Sequence, residues 1–360
     1  MSRPREEAAA IRAALAAGEV RRLLAVRVAR VGDTLAVLPA LELLRAALPG
    51  AERVLLCSAY AAPLVRDLPA VDRVVTWPHR GRGLGTWRAR RAARAALQAA
   101  GPFQLWVGLE DKPWGRRLAA QLGLPWLWAQ SPLEGHLVAR KAGVLRPLGL
   151  WERGPAPWVN LPPEPGQVAA AARGLLDLPR PWVGLQCGSY GARRRRRRDP
   201  HPEWVAAVGV RVARELGGGL VLHAGLGGPE ARAVRAVARA LEAAGVPCRL
   251  LERLDLPGLH AHLAALDALV SANTGPAHLA AAAGTPVVLL EGPSTPLARP
   301  WCPPERLVVL RRGLPCSPCR GRAHGRLCQV PRCLDELSAG EVLAGLRRVV
   351  SRASPAGAGA

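Results

Sequence analysis

The chain has 360 residues, enough for two domains that each bury a core, and 49% of them are hydrophobic, which excludes a disordered or fibrous protein. Its formal charge is +23, carried by arginine at every basic position except Lys112 and Lys141. Such a field favours anionic partners, namely nucleic acid, an anionic membrane face or phosphorylated substrates, while the arginine and alanine skew also fits a compositional background. Residues 1–22 mix acids with arginines and lack the apolar core of a signal peptide, so secretion is not expected. The charge-free run from Ala268 to Leu290 has membrane-spanning length, but Asn273, Thr274, Pro276, His278 and Pro286 interrupt it. It reads as a buried two-element unit. The expected setting is cytoplasmic, where the eight cysteines stay reduced and any cluster points to metal binding or burial.

In chain order, residues 21–28 read as a strand, 29–33 as a turn and Thr34 to Ala47 as a helix with apolar residues at helical spacing. Arg53–Cys57 and Val71–Thr76 read as strands, Trp87 to Ala100 as an arginine-rich helix and Gln104–Leu109 as a further strand. Prolines 155, 157, 162, 163 and 165 mark an interdomain linker, placed at 161–180. A second series follows: strand Pro181–Gln186, helix Glu203–Leu216, strand Leu220–His223, helix Pro229–Ala244, strand Arg249–Leu251 and helix Leu259–Leu266. A final helix covers Ser338–Val350, and the Ser/Pro/Ala/Gly tail 351–360 is expected to be disordered. Strands alternating with helices imply parallel sheets with right-handed crossovers. The chain is therefore α/β, with an N-terminal unit over 1–160 and a C-terminal unit over 181–350.

The polar turn Ser271-Ala272-Asn273-Thr274-Gly275-Pro276-Ala277-His278-Leu279-Ala280 lies between an apolar run and an alanine-rich helix. A turn feeding a helix leaves free N–H groups at the helix start, with Thr274 and His278 near enough to add donors, which makes a seat for phosphate. Strand Pro286–Leu290 and the turn Gly292-Pro293-Ser294-Thr295-Pro296 follow. In the first unit, Gly32-Asp33-Thr34-Leu35 closes the first strand, followed by Pro39 and by Pro49-Gly50-Ala51. Together these motifs, some 240 residues apart, resemble those of the bacterial heptosyltransferases, glycosyltransferase family 9. That family carries a G-D-x-[LV] turn, then an apolar helix with a proline and P-x-A, and later D-[ST]-G-P-x-H-L-A-A-A…G-x-P…G-P-[ST].

The resemblance implies GT-B architecture, two Rossmann-like lobes with parallel sheets facing a central cleft, the first binding the acceptor and the second the nucleotide-sugar donor. It implies an inverting, metal-independent transfer, with heptose from ADP-heptose the leading donor and a saccharide or lipid-linked acceptor of cell-envelope (lipopolysaccharide) synthesis. By the same match Asp33 is the base that deprotonates the acceptor hydroxyl, with Gly32 and Thr34 beside it on the acceptor. On residue type alone a cap on the helix starting at Thr34 is the favoured role, and the match to the family favours the base. Expulsion of a stable diphosphate needs no general acid, and no two aspartates are spaced Asp-x-Asp as a metal-dependent transferase of the other architecture would have them. Donor contacts fall on Asn273, Thr274, Gly275, Pro276, His278 and Gly292, with Asn273 standing where the family has aspartate.

Six arginines, Arg193 to Arg198, follow the strand ending at Gln186, and Pro200, Pro202, Glu203 and Trp204 match the end of the family's K-x-W-P-x-E-x-[FW] loop. Arg197 takes the place of the lysine that contacts donor phosphates in the family, and Arg198 is its neighbour. Arginine grips phosphate oxygens in pairs, although a solvated charge run suits most of the six. Cys316, Cys319, Cys328 and Cys333 have the count and rough spacing of a four-thiolate site, leaving a structural zinc ion, an iron–sulfur site, a reducible disulfide pair and simple burial all open. No cofactor is required for catalysis on this reading. Arg88, Arg90, Arg91 and Arg94 suggest peripheral contact with the anionic inner membrane face. Two rivals remain: a degenerate member that binds sugar nucleotide without turnover, and a nucleic-acid-binding protein. No specific nucleic acid is expected, because no recognised binding motif accompanies the charge.

Overall fold

The computed structural model describes residues 3–353 except 80, 82, 111–112, 124–125, 129–134, 152–153, 187–198, 226–227, 320–327 and 329. The chain divides into two compact units, Met1–Val159 and Asn160–Ala360.

The first unit runs α1 (Arg3–Ala16), β1 (Arg22–Arg27), α2 (Val31–Leu35), α3 (Leu38–Ala47), β2 (Glu52–Ser58), α4 (Ala62–Val65), β3 (Arg73–Trp77), α5 (Leu84–Ala100), β4 (Leu105–Gly108), α6 (Pro113–Gln121), β5 (Trp126–Trp128) and α7 (Leu137–Ala142). Its five strands are ordered β3-β2-β1-β4-β5, and all are parallel. Leu23 and Leu24 on β1, with Leu55 and Leu56 on β2, are 0–1% exposed. Covered on both faces, such strands become near-continuous apolar runs, and truncating one of these leucines to alanine costs about 2–5 kcal/mol. The expected single helix from Thr34 is instead two. Val31–Leu35 forms one turn, and α3 starts at Leu38 with Pro39 in its first turn, where a missing N–H costs nothing.

The second unit continues with α8 (Pro165–Arg173), β6 (Trp182–Gln186), α9 (Pro202–Leu216), β7 (Gly219–Ala224), α10 (Gly228–Ala243), β8 (Cys248–Glu252), α11 (Leu256–Ala265), β9 (Ala268–Ala272), α12 (Gly275–Ala283), β10 (Val287–Leu290), β11 (Leu307–Leu310), α13 (Arg332–Asp335) and α14 (Ala339–Ala353). Six parallel strands are ordered β11-β10-β9-β6-β7-β8. Val183, Leu185, Leu220, Leu222, Val270 and Val288 face α9, α10 and α14 in one core. On central strand β6, Gly184 has no side chain because Leu266 and Leu269 occupy the space; a Cβ there would sit 2.6 Å and 2.8 Å from their methyl carbons.

The stretch 161–180, read as linker, carries α8, which Glu164 caps by accepting from Gly166 N and Gln167 N at 3.0 Å. Leu161 N donates to Ala282 O at 2.7 Å, tying that stretch to α12. The charge-free run 268–290 is the two-element unit expected, β9 and α12, with β10 closing it. Of the tail, residues 351–353 complete α14, and the remainder lies outside the described residues. Among the described residues no helix is long and apolar enough to cross a membrane.

Candidate active site

Both sheets reverse their strand order beside their first strand, between β1 and β4 in one unit and β6 and β9 in the other. In an open α/β sheet, ligands bind outside the carboxyl ends of the strands at this reversal.

In the first unit, the turn that leaves β1 is braced by every strand around it. Val28 N donates to the carboxylate of Glu110, which is 3% exposed and follows β4. His79, beyond β3, bonds Val28 O through Nδ1 at 3.0 Å, and Ser58 at the end of β2 donates to Ala29 O at 2.7 Å. Asp33 stands within α2 and does not cap it, since the N-cap is Arg30 with no side-chain cap bond. Its Oδ1 lies 3.1 Å from Arg27 Nη2, and its side chain is 47% exposed. Thr34 is 1% exposed and its hydroxyl has no partner among the described residues, whereas Gly32 is half-buried. Among the described residues Asp33 is thus an accessible carboxylate here, with Thr34 turned into the interior.

In the second unit, β9 delivers the chain to Thr274, the extended N-cap of α12. Ser271 Oγ donates to Ala272 O at 2.7 Å and lies 3.2 Å from Thr274 Oγ1. Asn273 Nδ2 donates to Ala298 O at 2.9 Å, which fixes the amide orientation. Its Oδ1 then accepts from His278 Nε2 at 3.0 Å. Asn273, Thr274, Gly275, Pro276 and His278 are all half-buried around the start of one helix. Gly292 is placed differently: it is buried, and a Cβ there would meet Leu334 at 2.7 Å and Cys333 Sγ at 3.0 Å. Close packing on α13 explains that glycine. Glu291 beside it is 0% exposed and grips Arg299 through two bonds of 2.7 Å, with Arg311 at 4.0 Å.

Arg197 and Arg198 lie outside the described residues, but their C-terminal flank is anchored. His201 N donates to Asp335 Oδ1 at 2.9 Å, and Trp204 Nε1 to Leu337 O at 2.7 Å. Glu230, in the first turn of α10, is pushed up to about 7, first by burial and then by the charge of Asp199. On β7, His223 is 4% exposed, and burial followed by the nearby His262 pushes it down to about 3.

Cys333 is buried, and its thiol is raised to about 11, first by burial and then by the charges of Cys319, Cys328 and Cys316. As a donor set the four thiols suit zinc or iron. Among the described residues, however, no three His, Cys, Asp or Glu side chains form a metal-holding group. The geometry is not that of a ligating cluster.

Arg27, Glu110, Glu230 and Arg299 were not singled out in the sequence. Arg27 leaves a signal there, as a charge inside the apolar run Leu23-Leu24-Ala25-Val26-Arg27-Val28.

Residues 167–327 match the model of glycosyltransferase family 9 (heptosyltransferase). The chain is a glycosyltransferase with a family 9 domain. No curated protein matches its sequence. A family 9 glycosyl transferase from Veillonella parvula is similar in structure, with TM-score 0.74, 18% identity and coverage of 92% of this chain and 97% of that one. The E. coli ADP-heptose lipopolysaccharide heptosyltransferase II gives 0.68 at 19% identity, covering 92% and 99%. E. coli heptosyltransferase WaaC with ADP gives 0.65 at 20%, covering 91% and 99%. At these identities the likeness establishes the fold: the family 9 domain belongs to a chain of two Rossmann-like units, the composition of GT-B.

Proposed function

We propose that the protein transfers heptose from ADP-heptose to a saccharide or lipid-linked acceptor of the cell envelope, with inversion and without a catalytic metal. The observation that carries this reading is Asp33, ion-paired to Arg27 instead of capping α2, with a half-exposed carboxylate at the reversal point of the first sheet. As the acceptor oxygen attacks the anomeric carbon from the face opposite the diphosphate, its proton passes to Asp33. The new C–O bond forms while the bond to the diphosphate breaks, and ADP departs as a stable anion that needs no proton. Thr274 and His278 with the N–H groups opening α12, together with Arg197 and Arg198, stabilise that charge. Gly32, Gly275 and Pro276 shape the two turns. The heptose donor is supported by the family match and by the ADP and ADP-heptose named for the similar E. coli proteins.

The test is transfer with EDTA present, scoring ADP release and a heptose mass increment on heptose-deficient lipopolysaccharide core, beside a panel of other nucleotide sugars. Binding of ADP-heptose without product would favour a donor-binding protein that lacks turnover.

For the cysteine segment we infer a structural role. Cys316, Cys319, Cys328 and Cys333 have the donor chemistry for zinc or an iron–sulfur group, and binding would draw them together from the arrangement described above. About one equivalent of zinc, or of iron with sulfide, is expected in purified protein. Metal-free protein with an intact melting transition overturns it.

The working site is read as cytoplasmic, peripheral to an anionic membrane face. On α5 only Ala93, Leu97 and Ala100 are buried, while Leu84, Trp87, Arg88, Arg90, Arg91 and Arg94 are exposed. Aromatic and basic residues on one exposed helix suit anionic lipid.

A further inference from the structure

Arg27 ends β1 with its side chain only 9% exposed. A buried guanidinium is costly unless its donors are engaged, and those of Arg27 point in three directions. Nε donates to the main-chain oxygen of Asp33 at 3.0 Å, Nη1 to Leu109 O at 3.1 Å, and Nη2 lies 3.1 Å from Asp33 Oδ1. Two of these partners are backbone carbonyls on separate segments, the first turn of α2 and the exit of β4. The rigid fork is therefore set by the sheet and its turn, and the Asp33 carboxylate docks on what remains. That leaves its two oxygens unequal. Oδ1 is held by the cation, and no partner engages Oδ2 among the described residues.

We propose that Arg27 is a positioning residue for Asp33: by holding Oδ1 it presents Oδ2 to the acceptor hydroxyl. This rests on the reading of Asp33 as the base. A planar fork with three fixed directions does this, and a lysine, one point charge on a flexible stem, does not. A carboxylate that swings through its rotamers spends most of its time misaligned for proton transfer, and small misplacements at a reacting centre carry large penalties in rate. Because Arg27 touches neither donor nor acceptor in this account, its removal should act on kcat and leave the donor KM in place.

The test is a double-mutant cycle of Arg27→Gln and Asp33→Asn, with Arg27→Lys in parallel. Two readouts are followed: turnover of ADP-heptose by ADP release, and the melting temperature. The proposal expects Arg27→Gln to lower kcat by about ten- to a hundredfold with donor KM within about twofold. Arg27→Lys, which keeps charge but not orientation, should recover only a minor part. In the Asp33→Asn background the same Arg27 changes should lower kcat by less than about twofold, because the group they position is gone. Equal losses in both backgrounds overturn the proposal. If Asp33→Asn keeps native turnover, the base reading fails first, and the proposal falls with it whatever the Arg27 variants do. Melting gives a check that needs no turnover: independent shifts from Arg27 and Asp33 changes show that the pair does not form, and that also overturns it. Should Arg27→Gln melt too early to assay, Arg27→Lys carries the same comparison.

Discussion

The turn after β1 and the turn after β9 each flank the point where their sheet reverses its strand order, yet they treat charge in opposite ways. The first keeps an accessible carboxylate, Asp33, and sets a buried cation beside it. The second removes accessible negative charge. Asn273 stands as a neutral amide between His278 and Ala298, and Glu291 is fully buried in its pair with Arg299. Topology supplies the location and the side chains supply the chemistry. A base must be an anion, while a seat for diphosphate gains from having none nearby, and the proposed function gives each turn one of these tasks.

The largest effect should come from the first turn. Asp33→Asn is expected to lower transfer by about a hundredfold or more, measured as heptose added to acceptor. Unchanged transfer would erase the distinction between the two turns. Next, Arg197→Gln with Arg198→Gln should weaken ADP about tenfold and adenosine hardly at all in calorimetric titrations. Equal weakening of both would make those arginines background charge.

A smaller effect concerns pH. Glu230 rises from 4.5 to about 7 on folding, so between those values the folded chain holds a proton that the unfolded chain has released. Its contribution to stability is full below 4.5 and is lost as pH rises through about 7. Glu230→Gln should flatten the fall in melting temperature across that window; an unchanged slope would show that Glu230 does not hold its proton above the usual carboxyl range. Smallest, and abolished by salt, is the vesicle contact: replacing Arg88, Arg90, Arg91 and Arg94 by Gln should cut binding to phosphatidylglycerol vesicles while ADP affinity stays put. Loss of ADP affinity in that variant would refute the assignment.

Periodicity made most strands legible, because parallel strands buried on both faces are plain apolar runs. It failed where local signals were short or mixed. α2 is a single turn, α8 hides among prolines read as linker, and β11 is a four-residue strand next to arginines. The residues of the candidate site were legible as motifs, but their contacts were not. Nothing along the chain tells that Asp33 turns to Arg27 instead of capping its helix, since the decision lies in the carbonyls of Asp33 and Leu109, the latter 82 positions from Arg27. Gly292 shows the converse: a motif position that suggested donor contact is explained by close packing on Leu334 and Cys333.

The most direct test of this division of labour is ADP titration calorimetry on Asp33→Asn and Asn273→Ala side by side. Asp33→Asn should bind ADP as the native protein does. Asn273→Ala, having lost the bonds to Ala298 and His278, should bind about tenfold more weakly. Weakened binding in Asp33→Asn together with native binding in Asn273→Ala would contradict the account.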